Sequence, residues 1–74
     1  QAGEAVPGAA AVNINTADAE ALAAGLNGVG EARALEIVRY REAYGPFSSV
    51  DELAEVKGIG QSTVDNNRAV ITLD

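Results

Sequence analysis

Two matched pairs of glycines are the residues of this chain best suited to chemistry. Leu26-Asn27-Gly28-Val29-Gly30 reads apolar, any, Gly, apolar, Gly, and Val56-Lys57-Gly58-Ile59-Gly60 repeats it thirty residues later. The chemistry is anion binding by main chain. Glycine accepts positive φ without steric cost, so each pair can turn the chain within very few residues. The aliphatic residue between the glycines, Val29 or Ile59, can point back into a core and pin the turn. The second glycine leads into a helix whose first N–H groups have no internal partner. With no side chains in the way, an anion, above all a phosphate, can approach those N–H groups. A lone G-x-G is most often a plain turn between helices. Two copies at a fixed offset with matching flanks point to a repeated supersecondary unit.

The rest of the composition removes most other chemistries. The chain has 74 residues, a net charge of −6, no Cys and no His. Without His or Cys, the usual general base and the common metal ligands are missing, and Ser48, Ser49 and Ser62 have no base to activate them. We expect no enzyme activity, no metal, no cofactor and no small-molecule substrate. No apolar run approaches the roughly 20 residues of a membrane span. Hydrophobic residues make up 47% of the chain but only three residues are aromatic, so the core must be built by packing small residues on helices.

The elements that position the corners follow from local signals. Residues 1–12, rich in Ala and Gly with Pro7, read as a flexible, disordered lead-in, and 13–74 as one domain. The chain starts at Gln1 rather than Met, so a preceding segment such as a cleaved signal peptide is expected. Thr16 is the expected N-cap of a short helix over 17–24, with Ile14 as its staple and Leu22 in the core. Gly25 ends that helix. Gly25 to Gly28 also matches a G-x-x-G loop, but the strands that accompany that loop in KH domains are missing.

A longer helix is expected over 31–44. Ala34, Ile37, Val38 and Arg41 mark its inner face and Leu35 extends it. Gly45-Pro46 stops this helix, and Phe47 anchors the crossover. Ser49 and Glu52 form a capping box for a short helix reaching Glu55, with Leu53 and Val56 inward. A last helix over 61–69 follows the second corner, and Val64, Val70, Ile71 and Leu73 close the core. The expected class is all-α.

Taken together, the run Val12 to Ala17, the two corners, Ile37-Val38-x-Tyr40-Arg41-Glu42 and Gly45-Pro46-Phe47-x-Ser49-Val50-x-x-Leu53 resemble the helix-hairpin-helix domain of the ComEA family of competence DNA receptors. The resemblance covers Val12 to Leu73. It implies a compact, SAM-like tandem helix-hairpin-helix domain of four to five short helices, with hairpins at 26–30 and 56–60. It also implies non-sequence-specific binding of double-stranded DNA during DNA uptake and natural transformation, each hairpin addressing one strand's phosphates across the minor groove. The location implied is periplasmic or otherwise extracytoplasmic, secreted or anchored through a segment upstream, and other DNA-uptake proteins are possible partners. The DNA-binding residues carried over are Asn27, Gly28, Val29, Gly30 and Arg33 around the first hairpin, and Lys57, Gly58, Ile59, Gly60, Ser62 and Thr63 around the second. Val29 and Ile59 would serve as scaffold.

Three features depart from the pattern. Gly25 lengthens the approach to the first hairpin by one residue, Glu31 puts a negative charge beside it, and Lys57 is the only lysine. The five cations are Arg33, Arg39, Arg41, Lys57 and Arg68. The spacing of Arg39 and Arg41 suits pairing with acids on their own helix, such as Glu36 and Glu42, as well as it suits DNA. The net charge leaves a second reading open: an acidic protein-docking module that keeps the fold and does not bind nucleic acid.

Overall fold

A computed structural model describes residues 11–73. The expected disordered lead-in lies outside these residues, except at Ala11 and Val12. In order, the elements are β1 (Val12–Asn13), α1 (Ala19–Gly25), α2 (Glu31–Tyr44), a 3₁₀ segment (Val50–Glu55), α3 (Gln61–Asn67), a 3₁₀ turn (Arg68–Val70) and β2 (Ile71–Thr72). The fold is the expected all-α one, with three α-helices, two 3₁₀ pieces and one small addition among the described residues. β1 and β2 pair in parallel, Val12 against Ile71 and Asn13 against Thr72. Val12 is therefore buried in the core rather than part of a flexible lead-in. Its partner lies 59 residues away, so no local pattern marks the strand.

The core is built of aliphatic residues together with Phe47, and Ile14, Leu22, Ile37, Leu53 and Val64 are fully enclosed. Each corner is preceded by one buried leucine, and the two are delivered differently. Leu26 N–H donates to Leu22 C=O four residues back (2.9 Å), whereas Val56 N–H donates to Leu53 C=O three residues back (3.0 Å). The first spacing is α-helical and the second is 3₁₀. The extra residue before the first hairpin is thus absorbed by the winding of the helix. Gly25 is the last residue of α1 and not a left-handed cap. It is glycine because a β-carbon there would collide with the Val12 side chain.

Several local expectations change. The N-cap of α1 is Asp18, whose Oδ1 accepts from Ala21 N–H at 2.8 Å; Thr16 instead closes a turn onto Asn13 C=O. Leu35 is 45% exposed and does not extend the inner face of α2. Arg41 donates to Ile14 C=O at 2.8 Å. Ser49 does cap its helix, accepting from Glu52 N–H, but the Glu52 carboxylate reaches back one residue further than a capping box requires, to Ser48 N–H at 2.9 Å. That bond holds the Glu52 carboxyl below its usual range. Arg68 does the same to Asp51 and Asp65, which it contacts at 2.7 and 2.6 Å. α3 ends at Asn67, two residues before the expected end at Ala69, and continues as the 3₁₀ turn.

The start of the chain is tied to the crossover by Asn15. Its side-chain amide donates to Phe47 C=O (3.1 Å) and accepts from Phe47 N–H (2.7 Å). Asn15→Ala leaves both main-chain groups of a buried residue unpaired. It is expected to cost about 2 kcal/mol and to lower Tm by ~10 °C, read by thermal denaturation. A second expectation concerns acid. Asp51, Glu52 and Asp65 have folded-state pKa values below their unfolded ones, so their stabilisation is complete above the ordinary carboxylate range and is lost as pH falls through and below it. Melting temperature should drop across that window, and Glu52→Gln should make the drop shallower.

Candidate nucleic-acid interface

The two corners are the same object built twice. In each, the residue at the fourth position donates its N–H to the carbonyl of the first: Val29 to Leu26 at 3.3 Å and Ile59 to Val56 at 3.0 Å. The third residue is a glycine at φ +82° (Gly28) or +88° (Gly58), where a side chain is strained. The aliphatic residues at the first and fourth positions of each corner are all buried. The fifth residue, Gly30 or Gly60, is the N-cap of the helix that follows, with extended backbone and no side-chain cap.

That geometry leaves main-chain donors open. The first internal bonds of the two helices run from Ala34 N–H to Gly30 C=O (2.9 Å) and from Val64 N–H to Gly60 C=O (3.2 Å). The N–H groups before them have no helical acceptor. A β-carbon at Gly28, Gly30 or Gly60 would meet no atom within 4 Å, so these faces are open. A shallow groove of about 440 Å³ runs along residues 23–30. Glu31 is exposed beside the first corner and Lys57 beside the second.

The residues singled out by the sequence are gathered around these corners, and they are not equivalent. Val29 and Ile59 are buried, as scaffold. Asn27 is exposed, but its main chain is engaged: Asn67 Oδ1 accepts from Asn27 N–H (2.7 Å) and Asn67 Nδ2–H donates to Asn27 C=O (2.9 Å). Arg33 Nε–H donates to Gly58 C=O at 2.8 Å, so it links the corners while its guanidinium stays at the surface. Ser62 is exposed and Thr63 half-buried at the start of α3. Among the other cations, Arg39 pairs with Glu36 at 3.1 Å, as its spacing allowed, Arg41 holds Ile14, and Arg68 is shared by two aspartates. Lys57 has no partner among the described residues. Asn67 went unnoticed in the sequence. The one signal that could have found it is its place in the repeat, where α2 carries the buried Ile37 and α3 a buried polar residue.

A family profile described as the helix-hairpin-helix motif matches residues 8–72. The chain belongs to the helix-hairpin-helix family. Among similar proteins, an uncharacterized protein of Haemophilus influenzae is 46% identical over 57 residues, 77% of this chain and 51% of that protein. ComE operon protein 1 of Bacillus subtilis is 41% identical over 64 residues, 86% of this chain and 31% of that protein. Human endonuclease/exonuclease/phosphatase family domain-containing protein 1 is 42% identical over 64 residues, 86% of this chain and 11% of that protein. The helix-hairpin-helix domain thus spans about half of the first relative and a third or less of the other two.

The two kinds of corner glycine should separate in a stability assay. Gly28→Ala and Gly58→Ala force a side chain into positive φ and are expected to cost about 1–2 kcal/mol each. Gly30→Ala and Gly60→Ala keep an ordinary extended backbone and lose only the N-cap preference, below about 1 kcal/mol. Denaturant titration of the four single variants checks the difference.

Proposed function

We propose that this helix-hairpin-helix domain binds double-stranded DNA without sequence preference, through hydrogen bonds from the main chain of its two glycine corners to phosphate oxygens. The observation that carries this reading is the duplication itself. Two corners with closely similar backbone angles at their glycines, buried flanks and uncapped helix starts each offer an anion a matching set of donors. The contact groups proposed are the N–H groups at Gly28, Gly30, Gly58 and Gly60, the hydroxyls of Ser62 and Thr63, and the charges of Lys57 and Arg33. Phosphate contacts of this type carry no sequence information, which is why no preference is expected. The domain does no chemistry of its own in this reading; the match to the endonuclease/exonuclease/phosphatase family domain-containing protein covers 11% of that protein. The setting proposed is DNA uptake outside the cytoplasm, with other uptake proteins as partners, and it rests on the resemblance of Val12 to Leu73 to the ComEA domains.

One observation favours the alternative of an acidic docking module. The net charge is −6, and four of the five cations have internal partners: Arg33, Arg39, Arg41 and Arg68. Fluorescence anisotropy with two unrelated 20-base-pair duplexes separates the readings. DNA binding predicts equal affinity for both sequences. With two charges neutralising phosphates, affinity should fall about tenfold between 50 and 200 mM salt, by the slope of ~0.9 per phosphate. The Gly30→Val, Gly60→Val double variant suits its extended backbone, should stay folded, and should lose at least tenfold in affinity. No binding at low salt by the folded wild type supports the docking module. Binding that survives the double variant places the contact elsewhere.

A further inference from the structure

Of the asparagines in the chain, Asn13, Asn15, Asn27, Asn66 and Asn67, only Asn27 is followed by glycine. That neighbour has a chemical consequence. A side-chain amide carbon is an electrophile, and the main-chain nitrogen of the next residue can close a five-membered ring on it. Glycine puts no side chain in the path of the attack. Asn27 is exposed, and a β-carbon at Gly28 would meet no atom within 4 Å, so water has free access. Among the described residues, neither the Asn27 side-chain amide nor the Gly28 N–H is taken up in a hydrogen bond. Electrophile and nucleophile are both unprotected, and main-chain conformation alone keeps them apart. Gly28 has φ +82°, and no described residue other than glycine has positive φ, so Leu26 to Val29 is a type II turn. The second residue of such a turn has ψ of about +120°, which points the following nitrogen away from the side chain. Ring closure requires the peptide after Asn27 to swing round, and the Asn27 carbonyl swings with it.

Asn67 opposes that swing. Its Nδ2–H donates to Asn27 C=O at 2.9 Å and its Oδ1 accepts from Asn27 N–H at 2.7 Å. It does so from a side chain in a residue only 3% exposed, anchored in turn to Thr63 C=O at 2.8 Å. The second corner lacks both features. Lys57 stands where Asn27 does, and its main chain makes no hydrogen bond among the described residues; Arg33 holds the carbonyl of Gly58, one residue further on. We propose that Asn27 is a spontaneous modification site, its amide converted to aspartate and isoaspartate through a cyclic imide, and that Asn67 is the positioning residue that slows the conversion. In the first step Gly28 N gives up its proton and bonds to Asn27 Cγ. The Cγ–Nδ2 bond breaks, and the nitrogen leaves with the proton as ammonia. Water then opens the imide at either carbonyl, giving a side-chain carboxylate on a normal main chain or a main chain lengthened by one methylene. Either product adds a negative charge at the first corner, where Glu31 is already exposed, and leaves the second corner as it was. The inference does not depend on what the corners bind.

The test is peptide mapping by mass spectrometry on protein held in mildly alkaline buffer, resolving asparagine, aspartate and isoaspartate at each position. In denaturant, with the latch gone, Asn27 should convert first among the asparagines. In the folded wild type it should convert at least about tenfold more slowly than in denaturant, the effect of hydrogen bonds that must break before the ring can close. Asn67→Ala should raise the folded rate at Asn27 by about tenfold and leave Asn13 and Asn15 unchanged. Lys57→Asn alters an exposed side chain and builds the same dipeptide in the second corner, where nothing holds the carbonyl. Its new amide should convert about tenfold faster than Asn27 in the same molecule. Should Asn67→Ala fail to fold, Lys57→Asn carries the test alone. Acceleration shared by Asn13 and Asn15 in Asn67→Ala marks a general loosening and overturns the role of Asn67, as do equal rates at positions 27 and 57 in Lys57→Asn. Another asparagine converting before Asn27 in denaturant, or in the folded wild type, overturns the site itself.

Discussion

A peptide N–H with no acceptor inside the fold must find one outside, and the rest of this domain is arranged around that constraint. The start of any helix leaves such groups free, and most helices cover them with a Ser, Thr or Asp cap. α1 does so with Asp18, and the 3₁₀ segment with Ser49. The two helices that follow the corners do not, because their caps are glycines. The contrast within one small chain is informative. Where the helix only has to be stable, a side chain closes its end; at the two repeated corners the end is left bare.

This use of main chain fits the charge of the molecule. A domain that held a polyanion by lysines and arginines would need them free, and here arginines are used to bind parts of the fold together. Arg41 holds the turn at Ile14 and Arg68 gathers Asp51 and Asp65. What remains for an anion is Lys57, the outer nitrogens of Arg33 and the peptide donors. Their field is local, and at physiological salt the carboxylates beyond roughly 8 Å are screened from it. Glu31 is the exception, close enough to compete.

The corners were legible in the sequence because glycine at positive φ and an aliphatic residue beside it leave little choice of conformation. The helices were legible to within a few residues for the same local reasons: the apolar spacing of Ala34 and Ile37, the stop at Gly45-Pro46, the cap at Ser49. What could not be read was long-range. The pairing of Val12 with Ile71, the grip of Asn15 on Phe47 and that of Asn67 on Asn27 each join residues 32 to 59 positions apart. An asparagine offers no periodic signal, so its partner emerges only when the fold brings the main chain to it. The N-cap moved from Thr16 to Asp18 because residues 13–16 are needed for the turn that leaves β1. Leu35 looked apolar by spacing, yet the inner face of so small a domain is already filled by Ala34, Ile37 and Val38.

The central claim is that bare peptide nitrogens at two glycine corners take up nucleic-acid phosphates. The most direct measurement is a titration of the ¹⁵N-labelled domain with a short DNA duplex, followed amide by amide. The account predicts that the N–H signals of Gly28, Gly30, Glu31, Gly58, Gly60 and Gln61 move furthest and together. If those signals stay in place while others shift, such as those around the exposed Tyr44, the account is contradicted.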